Sequence, residues 1–334
     1  QKYQSMLISS LMLVKQILKI IRNCYSLQRF IVMTNKGIFR SPLFYVGDKY
    51  KLMREIKTHL PKRIRTFVEP FVGGGSVFMN VEAENYLLND IDSWVVGIHQ
   101  YLCGHNKNKD QFFDELFALV DHYGLSCSYR NDVIPDKLKK EFPKTYFAKY
   151  NKEAFIRMRS DFNKGEKDDM LHLYVLLIYG FNRMLRFNRE GNYNLPVGNV
   201  DFNKNVYNAL SDYFSITNSK HIIWSNLDFR QFLLSCHLSK DDFVYLDPPY
   251  LITFSEYNKL WDEETEKDLL ALLDFLDGEK IKFAISNVTH YKGKVNSIFL
   301  EWSAKYNVYT IKSNYISYHD NTSKTFNEVL VTNY

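Results

Sequence analysis

The sequence predicts a wound α/β sheet interrupted by a helical insert. Three observations predict it. Short apolar, β-prone runs alternate with helical stretches toward both ends of the chain. A run of three glycines follows the first of these strands directly. Between about 105 and 215 the pattern turns helical, with one polar interruption.

The elements follow in order. The segment "LISSLMLVKQILKIIR" places Leu7, Leu11, Val14, Leu18 and Ile21 at helical spacing, and Ser9, Ser10, Lys15 and Gln16 break its apolar character. It is too interrupted for a membrane span and has no small-residue cleavage site, so residues 1–32 read as an extension of unassigned role ahead of Met33. "RTFVEPF" (65–71) reads as a buried strand ending at Pro70, and "NYLLND" (85–90) as a second strand, with a helix from Asp92. "DQFFDELFALVDHY", "TYFAKYNKEAFIRMRSDF" and "DMLHLYVLLIYG" carry the 3.6-residue period of helices. The polar stretch "FNRMLRFNREGNYNLPVGN" (181–199) follows them. Strands then recur at 221–225, 242–247, 281–286, 306–311 and 327–334, with helices near 228–237 and 262–277. This divides the chain into a sheet domain of 33–104 and 216–334 and an inserted subdomain of 105–215.

Composition narrows the function little. The 16% aromatic content and net charge of +5 are compatible with a nucleic-acid partner, but composition alone slightly favours a core that uses Phe and Tyr for Leu. The four cysteines fit no zinc spacing and read as free thiols of a reducing compartment.

Two motifs carry chemistry. In "FVEPFVGGGSVF" (67–78), Gly73, Gly74 and Gly75 stand between a strand and an expected helix, where glycine lets a ligand approach the backbone. No Gly-Lys-Ser/Thr follows and no third fingerprint glycine opens the helix, so the loop suits a nucleoside better than a triphosphate. A tight turn without a ligand explains the same residues. The second strand ends in Asn89-Asp90, where an acid can accept both ribose hydroxyls or cap the next helix.

The second motif is Asp247-Pro248-Pro249-Tyr250, at the tip of the apolar run "DFVYLD". Prolines fix φ and stiffen the turn, which holds the carboxylate and the neighbouring carbonyls in place. Such a tip can grip an exocyclic amine: the carboxylate accepts one N–H, a proline carbonyl accepts the other, and Tyr250 stacks on the base. Two acceptors draw the amine nitrogen toward tetrahedral geometry and aim its lone pair at an electrophile.

These pieces, in this order over roughly 41–334, resemble the Dam-type DNA adenine-N6 methyltransferases, which use S-adenosylmethionine. "SPLFYVGDKYKL" resembles the family's aromatic-x-Gly-Gly-Lys cofactor segment through Tyr45, Gly47 and Lys49, with Asp48 in place of the second glycine. The glycine loop resembles the cofactor loop, Asp90 the ribose-binding acid, and "GFNRMLRFNREGNYNLPVG" the segment after the recognition helices, with Arg183 where glycine is usual. Asp247-Pro248-Pro249-Tyr250 is the adenine-binding motif, and "FAISN" and "NEVLVTNY" complete the likeness.

The resemblance implies a largely parallel, seven-stranded Rossmann-like methyltransferase sheet, with the helical insert as target-recognition region. It implies a cofactor site of Tyr45, Gly47, Lys49, Glu69, Pro70, Phe71, Gly73, Gly75, Asp90 and Asp247, and catalysis by Asp247, Pro248, Pro249 and Tyr250 on a flipped adenine, without a metal. Asn182, Arg183, Arg186, Asn188, Arg189, Asn194 and Tyr257 are the candidate DNA contacts, since Arg pairs with guanine edges and Asn with adenine edges. Holding a polar loop together is the competing role for each. The expected setting is a bacterial cytoplasm or nucleoid and a monomer or weak dimer, with double-stranded DNA as partner and no membrane. Whether a separate restriction endonuclease accompanies the chain stays open. The rival activities are cytosine-N4, RNA or protein-amide methylation, or a silent DNA-binding subunit. Cytosine enzymes tend to carry Ser, and amide enzymes Asn, where Asp247 stands.

Overall fold

Each apolar run forms a strand. A computed structural model describes residues 37–165, 167–253, 261–311 and 326–334. Contacts divide the chain into Gln1–Phe39 and a unit of Arg40–Tyr334, which carries the sheet and the helices. The expected extension 1–32 and Tyr257 lie outside the described residues. The strands are β1 (Thr66–Glu69), β2 (Asn85–Asn89), β3 (His221–Ser225), β4 (Phe243–Leu246), β5 (Lys282–Tyr291), β6 (Lys294–Val295), β7 (Asn307–Ile311) and β8 (Phe326–Thr332). β6, too short to register as an apolar run, is a two-residue return that pairs with the end of β5 and makes the described sheet eight-stranded.

The sheet order is β3-β2-β1-β4-β5-β8-β7. The first five run parallel, and β8 lies antiparallel between β5 and β7. From β1 the chain winds outward through β2 to β3, then returns to lay β4 on the other side of β1. That reversal is a topological switch point, and the carboxyl ends of β1 and β4 flank its crevice. All four residues of β4 are buried, as expected for a central parallel strand covered on both faces. β3, at one edge, alternates exposed and half-buried residues. At the opposite end of β1 and β4, Arg65 Nε and Nη2 donate to the two carboxylate oxygens of buried Asp242, at 2.9 and 2.6 Å. This fork locks the two strands together away from the crevice.

The helices are α1 (Met53–His59), α2 (Ser93–Gly104), α3 (Lys109–Tyr123), α4 (Asp136–Glu141), α5 (Tyr146–Lys164), α6 (Met170–Tyr179), α7 (Lys204–Thr217), α8 (Phe229–Ser235), α9 (Glu263–Gly278) and α10 (Ser297–Ser303). One sheet face carries Val68, Val244, Leu246, Phe283 and Ile285, covered by Phe232 and Leu233 of α8, Leu269 and Leu273 of α9 and Phe299 of α10. Each such side chain contributes about 1.5–3 kcal/mol when fully buried. Asp92, Asp228 and Asp262 cap α2, α8 and α9 through backbone N–H groups of their first turns. In the insert, α6 is buried from His172 to Tyr179 and packs on α2 and α5. Its Tyr174 hydroxyl donates to the Pro42 carbonyl at 3.1 Å, tying the insert to the segment that leads into the cofactor-like motif.

One expectation fails locally. No α-helix follows the glycines; only a 3₁₀ turn, Phe78–Asn80, forms before the chain extends at Val81. Asn80 Nδ2 donates to the Ser76 carbonyl at 2.8 Å, taking an acceptor that a helix would use. The flanking Val77 and Val81 are β-branched and favour extension.

Candidate active site

β4 ends where Pro248 and Pro249 remove two ladder donors. Asp247, next to the buried Leu246, therefore stands at the mouth of the switch-point crevice. Both its carboxylate oxygens are engaged. Tyr250 OH donates to Oδ1 at 2.9 Å, and the Lys49 ammonium lies 2.7 Å from Oδ2. Lys49 is only 5% exposed. It also lies 3.5 Å from Glu328 Oε1 and 5.1 Å from the centre of the Tyr250 ring. Burial works to lower the Lys49 pKa, but the acids beside it, Asp247 first and then Glu328, raise it well above the ordinary lysine value. Lys49 is therefore a fixed cation. Burial, and then the Asp247 charge, hold the Tyr250 hydroxyl well above the usual phenol range, so it remains a donor.

The segment that delivers Lys49 turns at Gly47, whose φ of +85° is a left-handed conformation that suits glycine. Asp48, the departure from the family pattern, does not adopt positive φ; its Oδ1 accepts the Tyr50 N–H at 3.0 Å. The second glycine is thus replaced by a self-bonded turn. Tyr45 folds over the glycine loop, and a Cβ on Gly74 would lie 2.7 Å from its Cβ. The Ser41 hydroxyl donates to the Gly74 carbonyl.

The loop itself leaves β1 at Glu69, which is 1% exposed and accepts the Phe78 N–H at 3.2 Å. Burial, followed by the nearby charge of Asp247, pushes Glu69 well above the carboxylate range. Gly73 and Gly75 have φ of +46° and +80°. A Cβ on Gly75 would stand 2.4 Å from Phe78 Cε1 and 3.0 Å from His99 Cε1. Pro70 offers its carbonyl to Asn89 Nδ2 at 3.0 Å, and the Phe71 ring packs against Phe229 and Trp261. Asp90, just past β2, accepts the Gly73 N–H at 2.8 Å and the Asp92 N–H at 3.0 Å. Burial pushes Asp90 up to about 6, against the pull of those backbone donors. Each carboxylate oxygen keeps a second lone pair, and Asp90 is only half-buried, so it can still accept ligand hydroxyls.

The polar stretch after α6 forms a small hairpin, with bridges Gly180–Val197 and Phe187–Tyr193. Phe187 stacks on Trp94 of α2 at 4.5 Å. Arg186 Nε donates to Asn194 Oδ1 at 2.8 Å, and Asn188 accepts the N–H groups of Glu190 and Asn192. Arg189, Asn188 and Asn194 are exposed at this hairpin. Asn182 lies exposed in the left-handed region beside Arg183. Arg183, where the family pattern has glycine, keeps a positive φ of +50°, and its guanidinium turns inward over Phe44 at 4.0 Å. Burial lowers that guanidinium to about 10.

Residues 45–316 match the family described as D12 class N6 adenine-specific DNA methyltransferase. The chain belongs to this family. It is 33% identical over 314 residues to the modification methylase StsI of Streptococcus sanguinis, covering 91% of this chain and 44% of that protein. It is 34% identical over 310 residues to the type II methyltransferase M.FokI of Planomicrobium okeanokoites, covering 90% and 44%. To the DNA adenine methylase of Escherichia coli K12 it is 28% identical over 214 residues, covering 63% and 65%. The chain thus spans less than half the length of the first two relatives.

Two residues at the site were not singled out from the sequence. His99 on α2 is fully buried; its Nε2 lies 2.9 Å from the Gly73 carbonyl and its Nδ1 2.9 Å from the Tyr213 hydroxyl. A carbonyl only accepts, so Nε2 carries the proton and Nδ1 receives one from Tyr213. Burial lowers His99 to about 4, which keeps it neutral. The only signal in the sequence was a lone histidine within "VVGIHQYL". The other residue, Glu328, is an acid inside the apolar strand "NEVLV". Among the described residues no group of three or more His, Cys, Asp or Glu could hold a metal, and no helix is long and apolar enough to cross a membrane.

Proposed function

We propose that this chain transfers a methyl group from S-adenosylmethionine to N6 of an adenine flipped out of double-stranded DNA. The observation that carries the reading is the switch-point crevice, with the glycine loop and Asp90 on one wall and the Asp247-Pro248-Pro249-Tyr250 tip on the other. The residues suit the cofactor. Asp90 has spare acceptor positions for a ribose, Gly73–Gly75 add no side chains of their own, and the Asp90 and Asp247 carboxylates favour a cationic ligand, while the buried Glu69, held well above the carboxylate range, adds no charge. Bound there, the cofactor supplies a sulfonium-borne, electrophilic methyl group.

The chain's own residues do the rest. Asp247 accepts one N6 hydrogen and the Pro248 carbonyl the other, which localises the nitrogen lone pair. Tyr250 stacks on the base. Before the base arrives, Lys49 holds the Asp247 carboxylate in orientation from Oδ2. Glu69 and the backbone around Pro70 and Phe71 shape the cofactor pocket, while Tyr45 supports the loop and Gly47 turns the segment that carries Lys49.

Residues 105–215 act in this reading as the target-recognition region. Arg186, Asn188, Arg189 and Asn194 on the hairpin, with Asn182 beside it, meet DNA. The inward guanidinium of Arg183 supports a role in holding the loop over one in reading bases. The likeness to type II enzymes supports a place in a restriction–modification system in a bacterial cytoplasm, beside a separate endonuclease. The test is transfer of labelled methyl to unmethylated DNA followed by nucleoside analysis. Label in N6-methyladenine supports the reading, whereas label in N4-methylcytosine, RNA or protein alone overturns it.

A further inference from the structure

Glu328 stands in the C-terminal stretch "NEVLVTNY", past the end of the residues that match the family, and no role has been given to it. It is 2% exposed. β8 fixes its backbone, pairing Glu328 with Val288 of β5 on one side and Ile311 of β7 on the other. From there Oε1 reaches the Tyr250 hydroxyl at 3.2 Å and Lys49 Nζ at 3.5 Å. These are the same two donors that Asp247 holds, at 2.9 and 2.7 Å. The buried Lys49 ammonium and the hydroxyl of half-buried Tyr250 are shared between two acids, and both lie closer to Asp247.

This sharing meets a need of the proposed chemistry. With the Tyr250 hydroxyl and the Lys49 ammonium on its oxygens, Asp247 is a weakened acceptor for an incoming amine. If it turns to the amine, those donors loosen; the Gly47 carbonyl, 3.4 Å from Lys49 Nζ, is only a long, neutral acceptor for the ammonium, and weakening such donors without a good acceptor is costly. A second acceptor already within reach removes that penalty.

We propose that Glu328 is a positioning residue that takes up the Tyr250 hydroxyl and the Lys49 ammonium as Asp247 engages the target amine. No proton or covalent bond changes hands in this step; only hydrogen bonds are exchanged, by rotation of side chains around a fixed strand. The inference rests on the adenine reading above.

The test compares the full chain with Glu328→Gln, Glu328→Asp, Tyr250→Phe and the Glu328→Gln/Tyr250→Phe double variant. The readouts are kcat and KM for labelled methyl transfer to unmethylated DNA, S-adenosylmethionine affinity by calorimetry, and urea unfolding. Glu328→Gln is expected to bind the cofactor within about threefold of the parent while kcat falls about ten- to a hundredfold. Glu328→Asp retains more of kcat than Glu328→Gln. In the Tyr250→Phe background the Glu328→Gln loss shrinks, because one donor is already gone, and unfolding free energies of the four proteins in the Glu328–Tyr250 cycle are non-additive. An active parent with Glu328→Gln at parental kcat overturns the inference, as does an equal loss in both backgrounds, equal activity of the Asp and Gln variants, or a loss confined to KM. A parent that moves no methyl to adenine overturns the underlying reading and this inference with it.

Discussion

Asp247→Asn is the most informative single substitution, because it preserves shape and removes charge. In the parent, Asp247 receives Lys49 Nζ at 2.7 Å and Tyr250 OH at 2.9 Å. An asparagine has one acceptor oxygen and one amide nitrogen. If the oxygen stays on Tyr250, the amide N–H group faces the Lys49 ammonium; if it flips, the amide N–H faces Tyr250, whose hydroxyl must then turn its proton to Glu328 and accept. Either way the acceptor offered to the adenine amine is neutral. A hydrogen bond to a charged group contributes about 1.5–3 kcal/mol, roughly twice a neutral one, so weakening it alone lowers the rate about tenfold. Misplacement of the base by the reorganised Lys49 adds on the order of a hundredfold. The expected loss in the methyl-transfer step is therefore about a thousandfold, measured in single turnover with labelled cofactor and protein in excess over DNA. Lys49 keeps Glu328 as its remaining acid, at 3.5 Å, so the fold survives with a stability loss of about 1–3 kcal/mol by urea unfolding. Cofactor affinity falls by less than about tenfold. A variant that folds and transfers methyl within tenfold of the parent would refute the role given to this carboxylate.

Other substitutions probe the surrounding parts. Gly75→Ala forces a Cβ to within 2.4 Å of Phe78 Cε1 at a φ of +80°, so cofactor affinity should drop at least about tenfold by calorimetry; unchanged affinity would show that the loop does not touch the ligand. His99 is buried neutral with its pKa lowered to about 4, so the unfolded chain binds the extra proton between about pH 4 and the ordinary histidine value, and His99 favours folding less as pH falls through that window. The stability gap between parent and His99→Gln should narrow by about 2 kcal/mol from pH 8 to pH 5 in urea titrations, a comparison in which Asp90, raised to about 6 and opposite in sign, cancels. A constant gap would mean that the histidine is not buried neutral. Arg189→Ala should reduce the slope of log affinity against log salt by about one for any duplex; an unchanged slope removes Arg189 from the phosphate contacts.

Much of the architecture could be read from local pattern. The run Phe243–Leu246 is wholly apolar because a central parallel strand is covered on both faces, and Pro248-Pro249 must end it because proline has no ladder donor. The order of cofactor segment, glycine loop, insert and acid-proline-proline-tyrosine tip is a linear property, and it sufficed to assign the family. The helix expected after Gly75 is absent because a local side-chain bond from Asn80 and two β-branched residues outweigh the general strand–turn–helix pattern.

Partnership across the fold was decided by tertiary structure alone. Tyr250 and Glu328 meet because β8 inserts antiparallel beside β5 in one register, and a slip by one residue would turn Glu328 to the other face. His99 supports Gly73 because α2 packs against the loop, which no periodicity records. Arg183 reads in sequence as a DNA-facing arginine, yet the left-handed turn at Asn182 and Arg183 swings it onto Phe44. Sequence pattern reports the burial period and the backbone freedom of each segment. Which buried donor meets which acid depends on the packing of segments far apart in the chain, and that is a property of the folded molecule only.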